Sequence, residues 1–375
     1  MAELRVLLAG GGTAGHVNPL LATAAELAGR PDGATVTVLG TAAGLESRLV
    51  PAAGWPLEVV PRVPLPRRPS PDLLRLPGRL RAAVRTAGEA IGRSGAEVVV
   101  GFGGYVATPA YLAARRLGVP VVVHEQNARP GLANRLGARW ASAVAVSFAG
   151  TPLPGATLTG LPLRPEIAAL VAERATPELA AQRRQAAAAA LGLDPGRTTL
   201  LATGGSLGAQ RINDALAGSA QQLHDAGTQV LHLTGAGKAD DVRAATAALP
   251  GHHVLEYLDD MASGYAAADL VLCRSGAGTV SELAALGIPA VYVPLPIGNG
   301  EQRRNAADVV AAGGGVIVPD AELTPAAVVR DVLPLLADRD RLAAMAAAAA
   351  GAGVRDGAAR LADLVLRAAG REPAR

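Results

Sequence analysis

Residues 272–305 read LCRSGAGTVSELAALGIPAVYVPLPIGNGEQRRN, and their pattern predicts a strand end, a glycine turn, a helix, a second strand and a polar loop. A mostly apolar run over residues 266–273 leads into the glycine turn at residues 275–278. A helical pattern follows over residues 279–286, and residues 289–295 are predicted to form another buried strand. Strands that alternate with helices at this spacing predict parallel βαβ units, and therefore an α/β fold.

The polar residues of this stretch follow a predicted strand or open a predicted helix. In open α/β sheets ligands bind at these places, and a helix amino end supplies free N–H groups and partial positive charge that suit a phosphate. Glu282, one turn into the helix, could reach a pair of ribose hydroxyls. The alternative is that Thr279 and Glu282 form only a capping box, and this stretch alone does not decide between the two.

A second copy of the strand, turn and helix opening indicates two domains. Residues 7–15 (LLAGGGTAG) and 200–208 (LLATGGSLG) align at a constant offset of 193 positions. A chain of 375 residues is long enough for two hydrophobic cores, so the repeat predicts two similar α/β domains. The proline-punctuated segment 160–165 is the predicted linker.

Other elements are predicted from the same alternation. The predicted strands are 4–9, 35–39, 97–100, 120–123 and 143–146, and the predicted helices include about 19–27, 108–117 and an amphipathic one at about 358–369. Asp259 and Asp260 are predicted to start a helix, and the alanine-rich stretch up to residue 190 to be a surface helix.

The amino-acid composition excludes several classes of protein. Half of the residues are hydrophobic but only 2% are aromatic, so the core must consist of Ala, Leu and Val. The single cysteine, Cys273, excludes an internal disulfide framework, and the lack of paired Cys/His spacing argues against structural zinc. With no signal-peptide pattern and no apolar run near the roughly 20 residues that cross a bilayer, we expect a soluble, cytoplasmic protein.

The positive charge is concentrated in one segment. Residues 61–93 contain eight arginines against Asp72 and Glu89, a local charge of +6, whereas the whole chain carries +3 and the remainder is therefore close to −3. This segment has no aromatic side chain to stack on bases, so we expect no nucleic-acid partner. An anionic membrane surface fits its charge better.

The spacing Gly10-x-Gly12-x-x-Gly15 satisfies the dinucleotide-binding fingerprint. An NAD-dependent enzyme would close the next strand with an acidic residue that binds the ribose, and Gly40-Thr41 offers none. The glycines therefore indicate a tight turn that admits a different ligand. His16, just after them, could act as a general base with an ordinary pKa near 6.5, or could simply cap the helix start.

Polar and glycine-rich segments also follow other predicted strands. His124-Glu125-Gln126-Asn127 directly follows a strand, which is typical of a functional segment rather than of packing. Phe102-Gly103-Gly104-Tyr105 is a glycine turn able to admit an acceptor, and Gly204-Gly205-Ser206 offers N–H groups and a hydroxyl to a pyrophosphate. Further candidates are Arg164 on the linker and, unless they are merely solvated loop residues, Gln302 and Asn305 as sugar-binding side chains.

Taken in order, these segments resemble one family. The segments are GGTAGH at 11–16, GGYV at 103–106, HEQN at 124–127, GGS at 204–206, DDM at 259–261, CRSG at 273–276 and TVSE at 279–282. Over essentially its whole length the chain resembles the MurG family, the N-acetylglucosaminyltransferases of bacterial peptidoglycan synthesis. No single segment is decisive, but the ordered set is highly specific.

The resemblance implies an α/β fold of the GT-B glycosyltransferase type, with two Rossmann-like parallel-sheet domains facing across a cleft. The implied domains are an acceptor and membrane-side domain of residues 1–162, joined by a returning helix at about 355–370, and a UDP-sugar-binding domain of residues 163–354. The implied reaction is inverting transfer of N-acetylglucosamine from UDP-N-acetylglucosamine to the muramoyl 4-hydroxyl of undecaprenyl-linked lipid I, giving lipid II. No metal and no other cofactor are expected.

Position by position, the resemblance carries the family's donor site onto this sequence. The matching residues are Thr13, Ala14, Gly15, Asn127, Arg164, Ser206, Leu258, Ala277, Gly278, Thr279, Val280, Ser281, Glu282 and Gln302. Their implied ligands are the ribose for Glu282, the phosphates for Ser206 and Thr279, the uracil for Leu258, and the sugar for Asn127 with Gln302. The family often has glycine where this chain has Ala14, so Ala14 slightly crowds the loop on the phosphate side. The family often has a larger residue where this chain has Gly278, so Gly278 loosens the turn on the donor.

Catalytic and acceptor-side residues are expected in the N-terminal half. His16 is the first candidate for the base, and Glu125 could replace it or orient the sugar. The acceptor and membrane side comprises Leu73, Leu74, Leu76, Arg75, Arg79, Arg81, Gly103, Gly104 and Tyr105, whereas Leu80, Val84, Ala87 and Ile91 fit the core face of a helix better. The protein is thus expected to be peripheral on the cytoplasmic face of the bacterial cell membrane, with cell-wall synthesis proteins as candidate partners.

Three other functions compete with this one. A natural-product glycosyltransferase using a UDP- or TDP-sugar would keep the fold and the nucleotide site but change the acceptor, and residues 15–19 (GHVNP) also occur in that style of enzyme. An NAD-dependent oxidoreductase is disfavoured by the missing acid at Gly40-Thr41. A non-catalytic nucleotide-binding module is disfavoured because both predicted domains carry polar motifs.

Overall fold

The computed structural model describes residues 3–31, 33–63, 72–205 and 208–373, and of residues 72–74 the backbone alone. Its Cα positions group into two compact units: Met1–Arg164 together with Asp356–Arg375, and Pro165–Arg355. Each unit contains one sheet in which every paired strand runs parallel to its neighbours. The prediction of two Rossmann-like α/β units is therefore confirmed.

The sheet of the first unit has seven strands within the described residues. They are β1 (Leu4–Ala9), β2 (Ala34–Gly40), β3 (Leu57–Val59), β4 (Val98–Gly101), β5 (Val121–Glu125), β6 (Ala143–Val146) and β7 (Ala156–Leu158), in the order β3-β2-β1-β4-β5-β6-β7. In the register Val6 lies opposite both Val36 and Val98. Because the strands are parallel, β1, β4 and β5 end at the same edge of the sheet.

The helices of the first unit that precede the linker are α1 (Ala14–Gly29), α2 (Glu46–Ala52), α3 (Asp72–Ser94), α4 (Gly104–Leu117) and α5 (Leu132–Gly137). The prediction that the first helix begins near residue 19 was wrong by more than a turn, because Pro19 lies inside α1. Pro19 is the sixth residue of α1, where it cannot donate a hydrogen bond to the Gly15 carbonyl, and the helix nevertheless continues past it to Gly29.

The core of the first unit packs on both faces of its sheet. One face is covered by α1 and by the helix Gly357–Ala368, whose Leu361 and Val365 are fully buried against strand residues such as Leu8. The other face is covered by α3 and α4, with Ala87 and Tyr111 buried there. The returning helix therefore completes the hydrophobic core of the first unit.

The sheet of the second unit has six strands within the described residues. They are β8 (Thr199–Thr203), β9 (Gln229–Leu233), β10 (His252–Leu255), β11 (Leu270–Cys273), β12 (Ala290–Tyr292) and β13 (Gly315–Ile317), in the order β10-β9-β8-β11-β12-β13. Like β1 in the first unit, β8 lies inside its sheet and leads into a glycine turn, which explains the offset of 193 positions between the two sequences.

The remaining helices surround the second sheet or close the chain. They are α6 (Pro165–Glu173), α7 (Pro177–Leu191), α8 (Gln210–Gly218), α9 (Ala220–Asp225), α10 (Asp240–Thr246), α11 (Met261–Ala267), α12 (Ala277–Leu286), α13 (Glu301–Asn305), α14 (Ala307–Ala311), α15 (Pro325–Ala327), α16 (Leu333–Ala337), α17 (Arg339–Ala352) and α18 (Gly357–Ala368). A 3₁₀ turn (Asp320–Glu322) precedes α15, and a π-helical segment (Val328–Val332) joins it to α16. No helix in the described part of the chain is both long and apolar enough to span a membrane.

The apolar run over residues 266–273 is not one strand. Its first two residues end α11, and β11 begins only at Leu270. Asp260 is the N-cap of α11, where its Oδ1 accepts a hydrogen bond from the Ser263 N–H at 3.2 Å. The prediction that the Asp259-Asp260 pair starts a helix is confirmed, and the helix continues into apolar residues that resemble a strand in sequence.

Candidate active site

The first glycine loop, residues 10–13, connects β1 to α1 in a tight turn. Gly12 has a φ of +90°, a conformation that L side chains rarely adopt. Thr13 is the extended N-cap of α1, so the interpretation of His16 as the residue that caps this helix was wrong. Thr13 and Gly15 are exposed and Ala14 is half-buried, so this loop is accessible from solvent.

His16 lies in the first turn of α1. Its Nδ1 is 3.0 Å from the Thr13 hydroxyl oxygen. Burial of the half-buried ring lowers its pKa below the ordinary value, although a hydrogen bond to the Gly11 backbone and the negative charge of Glu46 act in the opposite direction. The expectation of an unperturbed pKa was therefore wrong, and the shift leaves a neutral imidazole that could accept a proton at neutral pH.

The second glycine turn, residues 102–105, packs directly on the first loop. Gly103 and Gly104 have φ values of +86° and +77°, and a Cβ on Gly104 would lie 2.7 Å from the Gly11 carbonyl oxygen. A Cβ on Gly103 would lie 3.3 Å from Nε2 of His16. These glycines let the two backbones and the imidazole approach one another. Tyr105, at the start of α4, remains 38% exposed.

The carboxylate of Glu125 is buried at the end of β5 and holds the segment that follows. It accepts hydrogen bonds from the N–H groups of Asn127 at 2.9 Å and Gly131 at 3.0 Å, and from Nδ2 of Asn134 at 2.9 Å. The Asn127 side chain also bonds to it. Burial raises the pKa of Glu125 despite these bonds, which favour the charged form.

His124 is held neutral beside Glu125. Nε2 of Gln126 lies 3.0 Å from Nδ1 of His124, and the Gly160 carbonyl oxygen lies 3.1 Å from its Nε2. Because the amide nitrogen can only donate, His124 accepts at Nδ1 and donates from Nε2. Burial lowers the pKa of His124 to about 4, so this histidine positions the strand end and carries no charge near neutral pH.

Two functional-site neighbours were missed in the sequence. Asn134 accepts a hydrogen bond from the Tyr111 hydroxyl at 2.7 Å and donates to both Glu125 and the His124 carbonyl oxygen. Glu46 is fully buried beneath the first glycine loop, where it accepts a hydrogen bond from the Gly12 N–H at 2.8 Å. Neither residue belongs to a glycine-rich or strand-end motif, so only the three-dimensional packing reveals them.

In the second unit, α12 begins at Ala277 with Gly276 as its N-cap. Thr279 is therefore the third helical residue, and the interpretation of Thr279 and Glu282 as a capping box was wrong. Ala277 and Val280 are buried, and Gly278, Thr279 and Ser281 are half-buried. The helix start presents N–H groups next to a half-buried hydroxyl, as a phosphate site requires.

Glu282 is buried on α12 and its carboxylate is oriented by a second residue. The hydroxyl of Tyr265, on α11, donates to Oε2 of Glu282 at 3.1 Å. Tyr265 is itself buried, and no sequence motif indicates that it supports this carboxylate. Leu258, which precedes α11, is half-buried and lies so close to Gly264 that a Cβ there would be 2.9 Å from its Cδ2.

The polar loop after β12 contributes Gln302 and Asn305, which lie on the short helix α13. Oε1 of Gln302 accepts a hydrogen bond from the Leu295 N–H at 2.9 Å. Asn305 is buried and its Nδ2 donates to the Ser275 carbonyl oxygen at 3.2 Å. Asn305 is thus neither a solvated loop residue nor free for a sugar, because it holds the glycine turn before α12.

Two candidate residues remain, Arg164 and Ser206. Arg164 is half-buried and is the last residue of the first unit, immediately before α6. Ser206 lies outside the described residues, whereas Gly205 before it has a φ of +77° and its N–H donates to the Thr203 hydroxyl at 3.2 Å. Among the described residues, no group of three or more His, Cys, Asp or Glu side chains is arranged to hold a metal ion.

Within the arginine-rich segment, residues 72–93 lie on helix α3, which runs through Pro77. Its predicted core face is confirmed, since Val84, Ala87 and Ile91 are buried and Leu80 packs against them. Arg75, Arg79 and Arg81 are exposed and Leu76 is half-buried. The side chains of Leu73 and Leu74 lie outside the described residues.

Comparison with known proteins supplies the family. The model of the glycosyltransferase family 28 N-terminal domain matches residues 6–146, and the model of the family 28 C-terminal domain matches residues 199–361. A relative from a Nocardioides species is 56% identical over 97% of this chain and 98% of its own. A relative from Leifsonia xyli is 56% identical over 96% of this chain and 97% of its own. Both are named UDP-N-acetylglucosamine--N-acetylmuramyl-(pentapeptide) pyrophosphoryl-undecaprenol N-acetylglucosamine transferase.

Solved structures agree with the sequence relatives. The MurG of Acinetobacter baumannii is 30% identical, with a TM-score of 0.78 over 97% of this chain and 99% of that chain. The calicheamicin glycosyltransferase CalG4 is 21% identical with a TM-score of 0.69 over 99% of both chains, and this similarity concerns the fold alone. On the identity and coverage of these relatives, the chain belongs to glycosyltransferase family 28 and, within it, to the MurG N-acetylglucosaminyltransferases.

Proposed function

We propose that this protein transfers N-acetylglucosamine from UDP-N-acetylglucosamine to the 4-hydroxyl of the muramoyl-pentapeptide in lipid I, with inversion, and so forms lipid II for peptidoglycan synthesis. The observation that carries the proposal is 56% identity over 97% of the chain to a transferase named for these substrates. The alternative, a natural-product glycosyltransferase, rests on a neighbour at 21% identity, which supports only a common fold.

The donor nucleotide is assigned to the second unit. The N–H groups at the start of α12, together with the Thr279 hydroxyl, would bind the diphosphate and stabilise the charge that develops on it as UDP leaves. Glu282, held by Tyr265, would accept hydrogen bonds from the ribose hydroxyls. Ser206 would add a phosphate contact, Leu258 would face the uracil, and Gln302 with Asn127 would bind the sugar.

The acceptor hydroxyl is assigned to the first unit, with His16 as the general base. Burial keeps the imidazole neutral, as a base must be before it takes the proton. Glu125 is a weaker candidate because two backbone N–H groups and Asn134 already occupy its carboxylate oxygens. We assign Glu125 the task of fixing the segment that contains Asn127.

The buried carboxylate of Glu46 bears on what the first glycine loop binds. It accepts the hydrogen bond that the Gly12 N–H could otherwise donate to a ligand, and it places a negative charge beneath the loop. A phosphate approaching the same loop would be repelled, whereas a neutral sugar hydroxyl would not. This favours an acceptor hydroxyl over a nucleotide phosphate at the Gly11–Gly12 backbone.

Attachment to the cytoplasmic face of the cell membrane is part of the proposal. Arg75, Arg79 and Arg81 are exposed near the start of α3, beside the half-buried Leu76. Exposed arginines next to apolar side chains suit an anionic leaflet and a lipid-linked diphosphate. The protein would bind the surface there as a peripheral protein, close to its lipid-linked substrate and to other proteins of cell-wall synthesis.

The direct test is transfer of labelled N-acetylglucosamine from its UDP donor to a short-chain lipid I analogue, with and without EDTA. We expect equal product in both, since no metal is assigned a step. If the protein still binds UDP-N-acetylglucosamine but transfers nothing to the lipid I analogue, the natural-product glycosyltransferase with a different acceptor becomes the favoured function. Failure of the folded protein to bind the nucleotide would reject the donor site.

The base is tested with the matched pair His16→Gln and Glu125→Gln. We expect His16→Gln to lower kcat roughly 10²- to 10⁴-fold with little change in the donor KM. Glu125→Gln should raise the donor KM and lower the melting temperature, because it loosens the segment containing Asn127. A fully active, folded His16→Gln enzyme would reject His16 as the base.

A further inference from the structure

Glu46 is the first residue of α2, and its side chain reaches back to a loop that lies 34 residues earlier in the chain. Its side chain is fully buried. Oε2 accepts a hydrogen bond from the Gly12 N–H at 2.8 Å, and Oε1 accepts from the Thr41 N–H at 3.0 Å and from the Thr41 hydroxyl at 2.7 Å. The two carboxylate oxygens therefore bind different segments: Oε2 binds the first glycine loop, and Oε1 binds Thr41 just after β2.

Glycines surround this carboxylate. A Cβ on Gly40 would lie 2.6 Å from Cγ of Glu46, and a Cβ on Gly11 or on Gly44 would collide with its carboxylate oxygens. Glycines of two segments, the first glycine loop and residues 40–44, thus leave room for the Glu46 side chain. Burial, the largest single influence, would raise the pKa of Glu46, but the hydrogen bonds from Gly12 and Thr41 together lower it, so the group is ionised at neutral pH.

The Glu46 carboxylate acts on His16 in two ways, through its negative charge and through its contacts with the first glycine loop. Gly11, whose backbone His16 contacts, lies directly against Glu46, and Gly12 is bound to it. Glu46 is the charged group that acts on His16, where its negative charge favours the imidazolium. Thr13, whose hydroxyl oxygen lies 3.0 Å from Nδ1 of His16, and Asn134, which lies beside Gly103, are both uncharged.

We propose that Glu46 is a positioning residue for the transfer reaction, because its Oε2 holds the Gly11–Gly12 backbone against His16. This rests on the proposed role of His16 as the base. Without the charge, desolvation would depress the basicity of His16 further, and the proton of the acceptor hydroxyl would be taken less readily.

The test compares Glu46→Gln with Thr41→Val. The glutamine oxygen can keep the bonds from Thr41, but its NH₂ group then faces the Gly12 N–H, so the loop contact and the charge are both lost. Thr41→Val removes one hydrogen bond to the same carboxyl group and keeps that group, the bond from the Thr41 N–H and the Gly12 contact. Both variants are checked for folding by their melting temperatures before kinetics.

For Glu46→Gln we expect kcat to fall roughly tenfold or more, with the KM for UDP-N-acetylglucosamine within about twofold. The acid limb of the kcat/KM profile should move to lower pH by roughly one unit, because removal of a negative charge lowers the His16 pKa. The same direction of shift should appear in an NMR titration of the His16 ring in the full-length protein. Thr41→Val should retain the kcat and the pH profile of the unchanged protein.

Each measurement separates one claim from another. An unchanged His16 titration and an unchanged kcat in folded Glu46→Gln would overturn the proposal, as would an equal loss of kcat in Thr41→Val at equal stability. If the His16 titration shifts in Glu46→Gln while His16→Gln keeps full activity, the coupling between the two side chains holds but the base assignment fails. In that outcome Glu46 would no longer be a positioning residue for catalysis.

Discussion

The hydroxyl of Tyr265 lies 3.1 Å from Oε2 of Glu282, and both side chains are buried. Tyr265 is on α11 and Glu282 on α12, so the bond joins the two helices that flank β11. A carboxylate assigned to the ribose needs a fixed orientation, because a freely rotating one would lose entropy when the nucleotide binds. Tyr265 supplies that restraint from behind the proposed site.

We therefore expect Tyr265→Phe to weaken UDP binding roughly three- to tenfold, since a hydrogen bond to a charged group is removed. At saturating donor, kcat should change little. Isothermal titration with UDP gives the affinity directly. Affinity within twofold of the unchanged protein would contradict the orienting role.

Tyr292→Phe is the matched control. The Tyr292 hydroxyl is also buried, but within the described residues it has no hydrogen-bond partner. Its removal should leave UDP affinity unchanged and should not lower the melting temperature, since it deletes an unsatisfied polar group.

Substitution of glycine by alanine should have opposite effects at two positions. Gly104 has a φ of +77°, and a Cβ there would lie 2.7 Å from the Gly11 carbonyl oxygen. Gly104→Ala should therefore destabilise the fold by about 1–2 kcal/mol from the backbone conformation alone and lower transfer activity at least roughly tenfold. Thermal melts and kinetics on the purified variant give both numbers.

Gly278→Ala is the comparison. Gly278 is the second residue of α12, and a Cβ there would meet no atom of the described residues within 4 Å. We expect stability to rise by up to about 0.5–1 kcal/mol, because alanine loses less backbone entropy than glycine in a helix. A fall in stability would mean that the backbone at Gly278 needs the freedom of glycine.

Stability should fall with pH below about 6.5 because of a buried histidine pair. Nδ1 of His232 is 3.2 Å from Nε2 of His252, and Nε2 of His232 is 3.1 Å from Oδ1 of Asn213. Burial, followed by the charge of a neighbouring histidine, lowers the pKa of His232 to about 3 and that of His252 to about 4. The unfolded chain, with ordinary pKa values, binds more protons between about pH 6.5 and 4.

The stabilisation from this pair is therefore present above about pH 6.5 and is lost progressively as the pH falls toward 4, by about 2 kcal/mol for each histidine, or about 4 kcal/mol for the pair, at pH 5. Urea denaturation at pH 7.5, 6 and 5 measures it. His232→Gln should be less stable at pH 7.5 but should lose less further stability on acidification. An equally steep pH dependence in the variant would place its origin elsewhere in the chain.

Charge reversal on α3 tests the proposed membrane surface. Arg75→Glu with Arg79→Glu and Arg81→Glu should abolish most binding to vesicles that contain anionic lipid, while UDP binding stays unchanged. The exposed arginines Arg339, Arg341 and Arg355 of the second unit, reversed together, give the same change in net charge and should bind vesicles more strongly than the α3 variant. Equal binding by both variants would reject a specific α3 surface.

The alternation of apolar and helical stretches was enough to predict two parallel sheets, because buried strands such as Val98–Gly101 are apolar throughout. Leu57–Val59 and Ala156–Leu158 are among the strands that were missed, as are Gln229–Leu233, His252–Leu255 and Gly315–Ile317. The first two each have only three residues at a sheet edge, and Ala156–Leu158 is exposed throughout, so neither shows the burial pattern that a sequence reveals.

The candidate site residues named from the sequence lie in glycine-rich and strand-end segments, whereas the side chains that pack beneath those segments were missed. Glu46 has the sequence signature of an ordinary acidic residue in the first turn of a surface helix. Its burial follows from Gly40, six residues before it, and from Gly11, 35 residues before it, because both leave room for its side chain. Tyr265 and Asn134 likewise contact the site through side chains on neighbouring helices.

Because the returning helix α18 is part of its core, the first unit cannot complete that core until the end of the chain has been synthesised. Leu361 and Val365 belong to the core of the first unit, yet they are translated after the whole of Pro165–Arg355. The half that leaves the ribosome first therefore exposes part of its apolar surface until the second half has been made, and it depends on a segment almost 200 residues downstream of Arg164 to bury that surface. Truncations before residue 357 should consequently damage the N-terminal half, even though they remove nothing from its own continuous sequence.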